Sequence, residues 1–286
     1  MPELPEVESV RRGLVEAKLH GRIVEVWRSN ATLRVGTSRA AEHLERLEGA
    51  RAGEVHRRGK YLLWHFDDRK RHALGLLVHL GMSGRFGLAL PEQPRAAHTH
   101  LVLGFDDGRE VRFVDPRRFG ALGVGPLEQM QTQPPIGALG PEPLDAGFDG
   151  AQLAAQARQS HRPLREVLLD QQVVAGIGNI YAVEACHRAG IHPLVGAYRL
   201  QPSAWDRLAE ALRFVLEHAI DNGGTTLRDF RDVSGHAGRN QDELRVYGRA
   251  GKPCPGCGTT LVGFVNAGRS GVLCPRDQPR PRGHVR

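Results

Sequence analysis

The sequence is poor in cysteine, poor in aromatic residues and free of long apolar runs: four cysteines in 286 residues, 6% Phe, Trp and Tyr, and no uncharged apolar stretch of 18. The missing apolar run excludes a membrane-spanning helix. The opening residues, MPELPEVESV, hold three glutamates and neither a basic nor an apolar segment, so no secretory signal is expected. Three of the four cysteines, Cys254, Cys257 and Cys274, fall within 21 residues while Cys186 stands alone, which speaks for metal rather than a disulfide framework, and a chain of this length needs no such staples to build a core. No low-complexity tract and no internal repeat is present, which sets aside disordered and solenoid architectures. What remains is a soluble globular chain, 40% hydrophobic and 25% charged, of one large or two ordinary domains in a reducing cytoplasm. Its formal charge is +7, and residues 251–286 carry six Lys or Arg against one acid. Such an excess suits a polyanionic partner, or a basic surface kept for solubility.

The pattern along the chain changes once. Val7, Val10, Leu14 and Val15 follow Pro5 at helical spacing, which predicts a helix over 5–19. Strand-like segments come next, among them Tyr61 to Phe66, Leu74 to Leu80, His100 to Phe105 and Glu110 to Val114, separated by turn residues. This region reads as a mostly antiparallel β-sandwich. The stretch from about 125 to 148, GPLEQMQTQPPIGALGPEPLD, has no periodicity and is the candidate linker. Helical spacing then returns, first at Leu164, Val167 and Leu168, then at Ala182, Val183, Cys186 and Ala189. A third helix is expected to open at Ser203, with Asp206 completing a capping box, and to end at Gly223-Gly224. The division expected is 1–125, a linker at 126–148, a helical domain at 149–250, and a hairpin-like segment with a basic tail at 251–286.

Cys254 and Cys257 form a two-residue-spaced thiolate knuckle, and Cys274 follows 17 positions later. A second knuckle would complete a tetrahedral zinc shell with a ligand at 277, where Asp277 stands. His284 is a second candidate for that fourth position, and a knuckle held by packing alone is the alternative to metal. Arg269 lies in a glycine-flanked turn, where a guanidinium meets phosphate, a stacked base, or only solvent. Asn179 follows Gly176 and Gly178 and either caps the next helix or offers its amide to a phosphate. Lys60 stands at a strand entrance beside Arg57 and Arg58, a setting for acid/base chemistry or for solvation. His79 and Met82 lie in HLGMSGRF, and Arg117 and Phe119 in DPRRFG; on loop tips such residues insert into a base stack, and otherwise Met82 and Phe119 are core. If Met1 is removed, the secondary amine of Pro2 is a nucleophile near neutral pH, with Glu3 and Glu6 beside it as proton donor and tuning carboxylate.

In this order the motifs resemble those of the bacterial formamidopyrimidine-DNA glycosylases (8-oxoguanine DNA glycosylase / AP lyases). The resemblance runs through PELPEVE at 2–8, RRGKYLL at 57–63, HLGMSGRF at 79–86, DPRRFG at 115–120, LGPEPL at 139–144, AGIGNIYAVEA at 175–185, AGIHP at 189–193, GGTTLRDF at 223–230 and ELRVYGRAGKPCPGCG at 243–258. It implies an α+β fold: an N-terminal β-sandwich with a leading helix, then a helix–two-turn–helix domain ending in a β-hairpin zinc finger, with double-stranded DNA between them. It implies an enzyme, acting as a monomer in the bacterial cytoplasm, that excises oxidised purines and then cleaves the strand by β,δ-elimination. Pro2 would form the Schiff base, Glu3 would donate the proton that opens the sugar, Lys60 would serve β-elimination and Arg269 δ-elimination. His79 and Asn179 would join Lys60 and Arg269 in gripping phosphates. Met82, Arg117 and Phe119 would fill the gap left by the everted nucleotide, His98 would touch DNA, and the loop 233–241 would cover the flipped base. One structural Zn2+ is implied on Cys254, Cys257 and Cys274, and the chain departs from the family at Asp277, where a fourth cysteine is expected. The basic tail 278–286 would add nonspecific DNA affinity. Two rivals stay open. One is the sister endonuclease VIII group acting on oxidised pyrimidines, which typically has Gly where Leu4 stands; the other is a noncatalytic damaged-DNA-binding zinc-finger protein, against which Pro2, Glu3 and Lys60 argue.

Overall fold

The computed structural model describes residues 1–33, 41–227 and 230–280; His284 lies outside them. The chain folds as two compact units, each assembled from two segments: Met1–Ala138 with Asn222–Gln241, and Leu139–Asp221 with Asp242–Arg286.

In the first unit, helix α1 (Leu4–Glu16) begins at a capping box of Glu3 and Glu6 with a proline in its first turn. Val7, Val10 and Leu14 form its buried stripe, and the helix stops short of residue 19 because Lys18 turns into the left-handed region at φ 50°. Among the described residues eight strands follow: β1 (Ile23–Arg28), β2 (Arg51–Arg58), β3 (Tyr61–Asp67), β4 (Ala73–His79), β5 (Arg85–Ala89), β6 (Thr99–Phe105), β7 (Glu110–Val114) and β8 (Ala121–Pro126). They pair antiparallel in two four-stranded sheets, ordered β1-β6-β7-β5 and β2-β3-β4-β8. Trp64, Phe66 and Leu76 from one sheet meet Phe86, Leu103 and Phe113 from the other in one core, which α1 and Val233 complete. Strands β6 and β7 are buried throughout. On β7, buried Arg112 pairs with Glu110 at 2.6 Å and donates to the carbonyls of Leu90, Gln93 and Pro94, so the loop after β5 covers that face. The stretch read as the candidate linker carries a short helix, α2 (Leu127–Thr132), and a single 3-10 turn at Ile136–Ala138.

The second unit holds α3 (Gly150–Ala157), α4 (Leu164–Leu169), α5 (Asn179–Arg188) and α6 (Pro202–Asp221). Helix α6 begins one residue before Ser203, with the Gln201 carbonyl accepting the N–H groups of Ala204 and Trp205; proline presets the backbone of a first turn. Leu208, Leu212, Leu216 and Ile220 line its buried face. It ends where the sequence predicts, since Gly223 and Gly224 take φ of 72° and 84°. Helix α5 is buried from Ile180 to His187, and Glu184 on it accepts the N–H groups of Arg245, Val246 and Tyr247 at 2.8–3.0 Å. That strap leads into a hairpin of β9 (Val262–Asn266) and β10 (Arg269–Leu273), whose turn residues Ala267 and Gly268 both have positive φ, as a type I′ turn requires. Among the described residues no helix is long and apolar enough to cross a membrane.

Candidate active site and metal centre

Pro2 is buried and Glu3 is 3% exposed at the head of α1. Glu6 holds that head in place: its Oε2 accepts the Glu3 N–H at 2.8 Å and its Oε1 accepts the Thr225 N–H at 2.7 Å. With each oxygen on a main-chain N–H, Glu6 is built into the backbone as a clamp. The contact explains Gly224, because a Cβ there would lie 3.1 Å from Glu6 in a backbone that side chains avoid.

Lys60, 6% exposed, follows Gly59 in the β2–β3 turn. Arg57 braces this turn, donating to the Gly59 carbonyl and to Glu8 Oε2, both at 3.2 Å. Burial pushes the Glu8 carboxyl up, but Arg11, Arg57 and Arg12 around it prevail and hold it below its ordinary value. Across the sheet from Tyr61 stands His79, at the end of β4, with ring centroids 4.8 Å apart. The Gly81 N–H donates to its Nδ1 at 3.0 Å, so the ring carries its proton on Nε2. Burial, helped by the Lys60 charge, lowers His79 to about 4. At neutral pH it is therefore an uncharged N–H donor beside a buried lysine.

The loops bearing Met82 and Arg117 are tied by residues the sequence reading did not single out. Asp115, fully buried, accepts Ser83 Oγ–H at 2.6 Å and the Gly120 N–H at 2.7 Å, while the Arg117 N–H donates to Ser83 Oγ at 3.2 Å. A carboxylate bracketed by turn residues in DPRRFG was the available signal. Gly81, at φ 63°, packs so tightly that a Cβ would overlap the Phe119 carbonyl carbon and the Gly120 nitrogen. Above these braces Met82 is 37% exposed, and the Arg117 guanidinium lies 4.9 Å from the Phe119 ring centroid. His98 is exposed, with φ 64°, and its carbonyl accepts the Asp115 N–H, whereas neighbouring His100 is buried on Ser29 and on the Asp115 carbonyl. The loop 233–241 is anchored at both ends: Val233 is in the sandwich core, and Asn240 Nδ2–H donates to Thr225 Oγ1 at 2.8 Å.

On the second unit, Asn179 starts α5 and donates to the Ser270 carbonyl at 2.9 Å, next to exposed Arg269. Arg165, a residue with no motif to announce it, is wholly buried beneath them. It donates to Asn179 Oδ1 at 2.8 Å and to the Asn266 carbonyl at 2.6 Å, so one side chain sets both Asn179 and the hairpin turn.

The donor atoms of Cys254, Cys257, Cys274 and Asp277 lie within 4.8 Å of one another. Cys257 and Cys274 Sγ are 3.4 Å apart, and Cys254 Sγ is 3.1 Å from Asp277 Oδ2. Zinc–sulfur bonds of ~2.3 Å give tetrahedral edges near 3.8 Å, so small outward shifts seat one structural zinc ion among these four. Asp277 fills the fourth position. Cys186 takes no part: it is fully buried in α5, and burial pushes its thiol up to about 12.

Three family profiles cover the chain: the formamidopyrimidine-DNA glycosylase N-terminal domain at residues 1–122, the formamidopyrimidine-DNA glycosylase H2TH domain at 139–231, and a zinc finger found in FPG and IleRS at 251–280. A formamidopyrimidine-DNA glycosylase of Stenotrophomonas maltophilia is 44% identical over 97% of this chain and 100% of its own length. The crystal structure of the MutM (Fpg) protein of Thermus thermophilus matches with a TM-score of 0.85 at 38% identity, over 98% of this chain and 100% of that one. Lactococcus lactis Fpg in complex with an abasic site containing DNA matches at 0.87 and 32% identity, over 97% and 100%; the same protein with an N7-benzyl-Fapy-dG containing DNA matches at 0.86 and 32%, over 98% and 100%. With both its units and its finger matched in order, the chain belongs to the formamidopyrimidine-DNA glycosylase family.

Proposed function

We propose that this chain is a bifunctional DNA glycosylase and AP lyase that removes oxidised purines, 8-oxoguanine and formamidopyrimidines, from duplex DNA in the bacterial cytoplasm. The observation that carries the reading is the Glu6 clamp, which holds Pro2 and Glu3 at a buried helix start. The relatives crystallised with abasic and Fapy-dG DNA support the same substrate class.

The base is inside a duplex and has to be everted, at an unstacking cost of a few kcal/mol. Met82, Arg117 and Phe119, on loops stiffened by Asp115 and Ser83, fill the vacated stack, with Arg117 toward the unpaired cytosine. His79 offers its Nε2–H to a phosphate oxygen without adding charge, and Lys60, Asn179 and Arg269 grip the flanking phosphates. His98 adds a DNA contact, and the loop 233–241 covers the everted base. Once Met1 is removed, the Pro2 nitrogen bonds to C1′ as the glycosidic bond breaks, and the base leaves with its bonding electrons and takes up the proton that the Pro2 nitrogen sheds. Glu3 gives a proton to the ring oxygen, and the sugar opens to an iminium on Pro2. The iminium acidifies C2′, whose proton leaves as the 3′-phosphate departs; Lys60 serves this β-elimination and Arg269 the δ-elimination that frees the 5′-phosphate. Glu6 takes no proton in this scheme and acts as a positioning residue. Zinc supplies structural cross-linking of the hairpin that presents Arg269, and nothing to the chemistry.

Borohydride trapping on an abasic duplex tests the scheme. A covalent adduct in the parent protein that disappears in Pro2→Gly is expected; no adduct in the parent refutes it. A preference for thymine glycol over 8-oxoguanine:C duplexes would instead place the chain with the endonuclease VIII group.

A further inference from the structure

The last turn of α5 carries a polar side chain to which neither the zinc reading nor the catalytic scheme gives a task. His187 is 7% exposed, with Nε2 3.5 Å from Cys254 Sγ and 3.7 Å from Asp277 Oδ2. Its Nδ1 is buried and has no hydrogen-bond partner among the described residues. An imidazole with one nitrogen unsatisfied is a poor choice for filling space, since a phenylalanine would pack there with no orphaned nitrogen. The reason to keep it lies at the other nitrogen, which faces two metal donors.

The four donors are complete without it. Three thiolates and one carboxylate around a divalent cation leave a net charge of −2, and Cys254 and Cys274 are both buried. Such a charge is tolerable only where N–H groups point at it. The backbone supplies several, among them Gly256 N–H to Cys254 Sγ and Asp277 N–H to Cys274 Sγ, each at 3.4 Å, with Thr259 donating to Cys257 and Arg276 to Cys274. A carboxylate is also a harder and weaker zinc ligand than the thiolates it sits among, so the site leans more heavily on its three sulfurs. We infer that His187 donates its Nε2–H to the zinc-bound Cys254 thiolate, and that this bond from α5 keeps zinc tight in a site with only three cysteines. His187 is a positioning residue, not a fifth ligand. Helix α5 then meets the finger at two points, Asn179 on Ser270 and His187 on the metal site, and between them holds the strap that leads into it, Glu184 on Arg245–Tyr247.

The test uses the purified full-length protein and zinc, without DNA or activity. Zinc Kd is measured by competition with a chromophoric chelator for the parent, His187→Phe and His187→Gln. Losing an outer hydrogen bond of this kind weakens metal binding by about 10–100-fold, the shift expected in the phenylalanine variant, while glutamine, which keeps an N–H donor, restores most of it. Cobalt substitution adds a signature that a merely structural role would not produce. Removing an N–H donor raises the energy of the sulfur lone pairs, so the sulfur-to-cobalt charge-transfer band moves to lower energy in His187→Phe and stays near the parent position in His187→Gln. If the phenylalanine variant does not fold, nitrogen NMR on the parent decides, because the inference requires a proton on His187 Nε2. A metal-bound Nε2, an unchanged Kd and band in a folded His187→Phe, or a parent protein that binds no zinc would each overturn it.

Discussion

Glu6→Gln changes one atom and separates a clamp from a spare carboxylate. In the parent, both oxygens accept a buried main-chain N–H, from Glu3 at 2.8 Å and from Thr225 at 2.7 Å. Glutamine has one oxygen to offer and must turn its NH2 toward the other amide, donor against donor. A hydrogen bond to a charged acceptor contributes about 1.5–3 kcal/mol, and the surviving bond becomes a weaker neutral one, so a local loss of about 3 kcal/mol is expected. That is a roughly 100-fold faster exchange of the Thr225 amide, read by hydrogen–deuterium exchange under native conditions. If half of the loss is expressed at the reacting end, single-turnover borohydride trapping slows by roughly tenfold. Gly224→Ala pushes on the same contact from the other side and should change exchange at Thr225 in the same direction. A Glu6→Gln protein with parental exchange at Thr225 and a parental trapping rate would refute the clamp.

Three further outcomes follow from the site. His79 is lowered to about 4 when folded, against an ordinary value near 6.5. Between these values the unfolded chain binds a proton that the folded one refuses, so His79 makes stability fall as pH drops from 6.5 to 4. Its share is at most about 3 kcal/mol. His79→Gln should flatten that part of the pH–stability curve, and a slope equal to the parent's would show that the ring is not held neutral. Gly81→Ala should separate the two loops, because its Cβ overlaps the Phe119 and Gly120 backbone at a positive φ; the expected signs are a lower Tm and weaker binding to a duplex with a stable abasic analogue, and an unchanged Tm counts against the packing described. Arg269→Ala should weaken DNA binding and reduce the slope of log K against log salt by about one phosphate contact; an unchanged slope would deny it a phosphate.

The parts of the fold legible in the sequence were those whose signal is local. Strands β3, β4, β6 and β7 announce themselves as apolar runs between turn residues, and the Pro5 start of α1 and the Gly223-Gly224 end of α6 are chemical punctuation. Strand β2, RAGEVHRR, has a bulge and a polar outer face, so neither alternation nor a run of β-branched residues marks it. Strand β8, ALGVGP, is glycine-rich for the same want of signal; its neighbours, not its composition, make it a strand. In the site, the residues proposed to meet ligands stand in motifs; of those that brace them, Ser83 and Asp115 sit inside the same motifs with nothing in the spacing to announce their role, and Arg165 stands in none. Arg165 acts through partners 14 to 105 residues away and Ser83 through Asp115, 32 positions on, distances at which spacing carries no information. Asp277 was visible as a departure, but His187 became relevant only when folding set a helix residue beside a cysteine 67 positions away.

The interleaving of the two units has a consequence for how the protein is made. The first unit includes residues 222–241, so its core lacks Val233, and Glu6 its Thr225 amide, until the ribosome has passed them. Helices α3 to α6 are synthesised in the meantime. At 5–20 residues per second, the roughly 100 residues after Ala138 take on the order of ten seconds, during which the nascent sandwich presents an unfinished apolar interior. The N-terminal segment that carries the proposed nucleophile is therefore translated first but completed only after residue 225, and a chain broken off before that point has Pro2 without the structure that holds it.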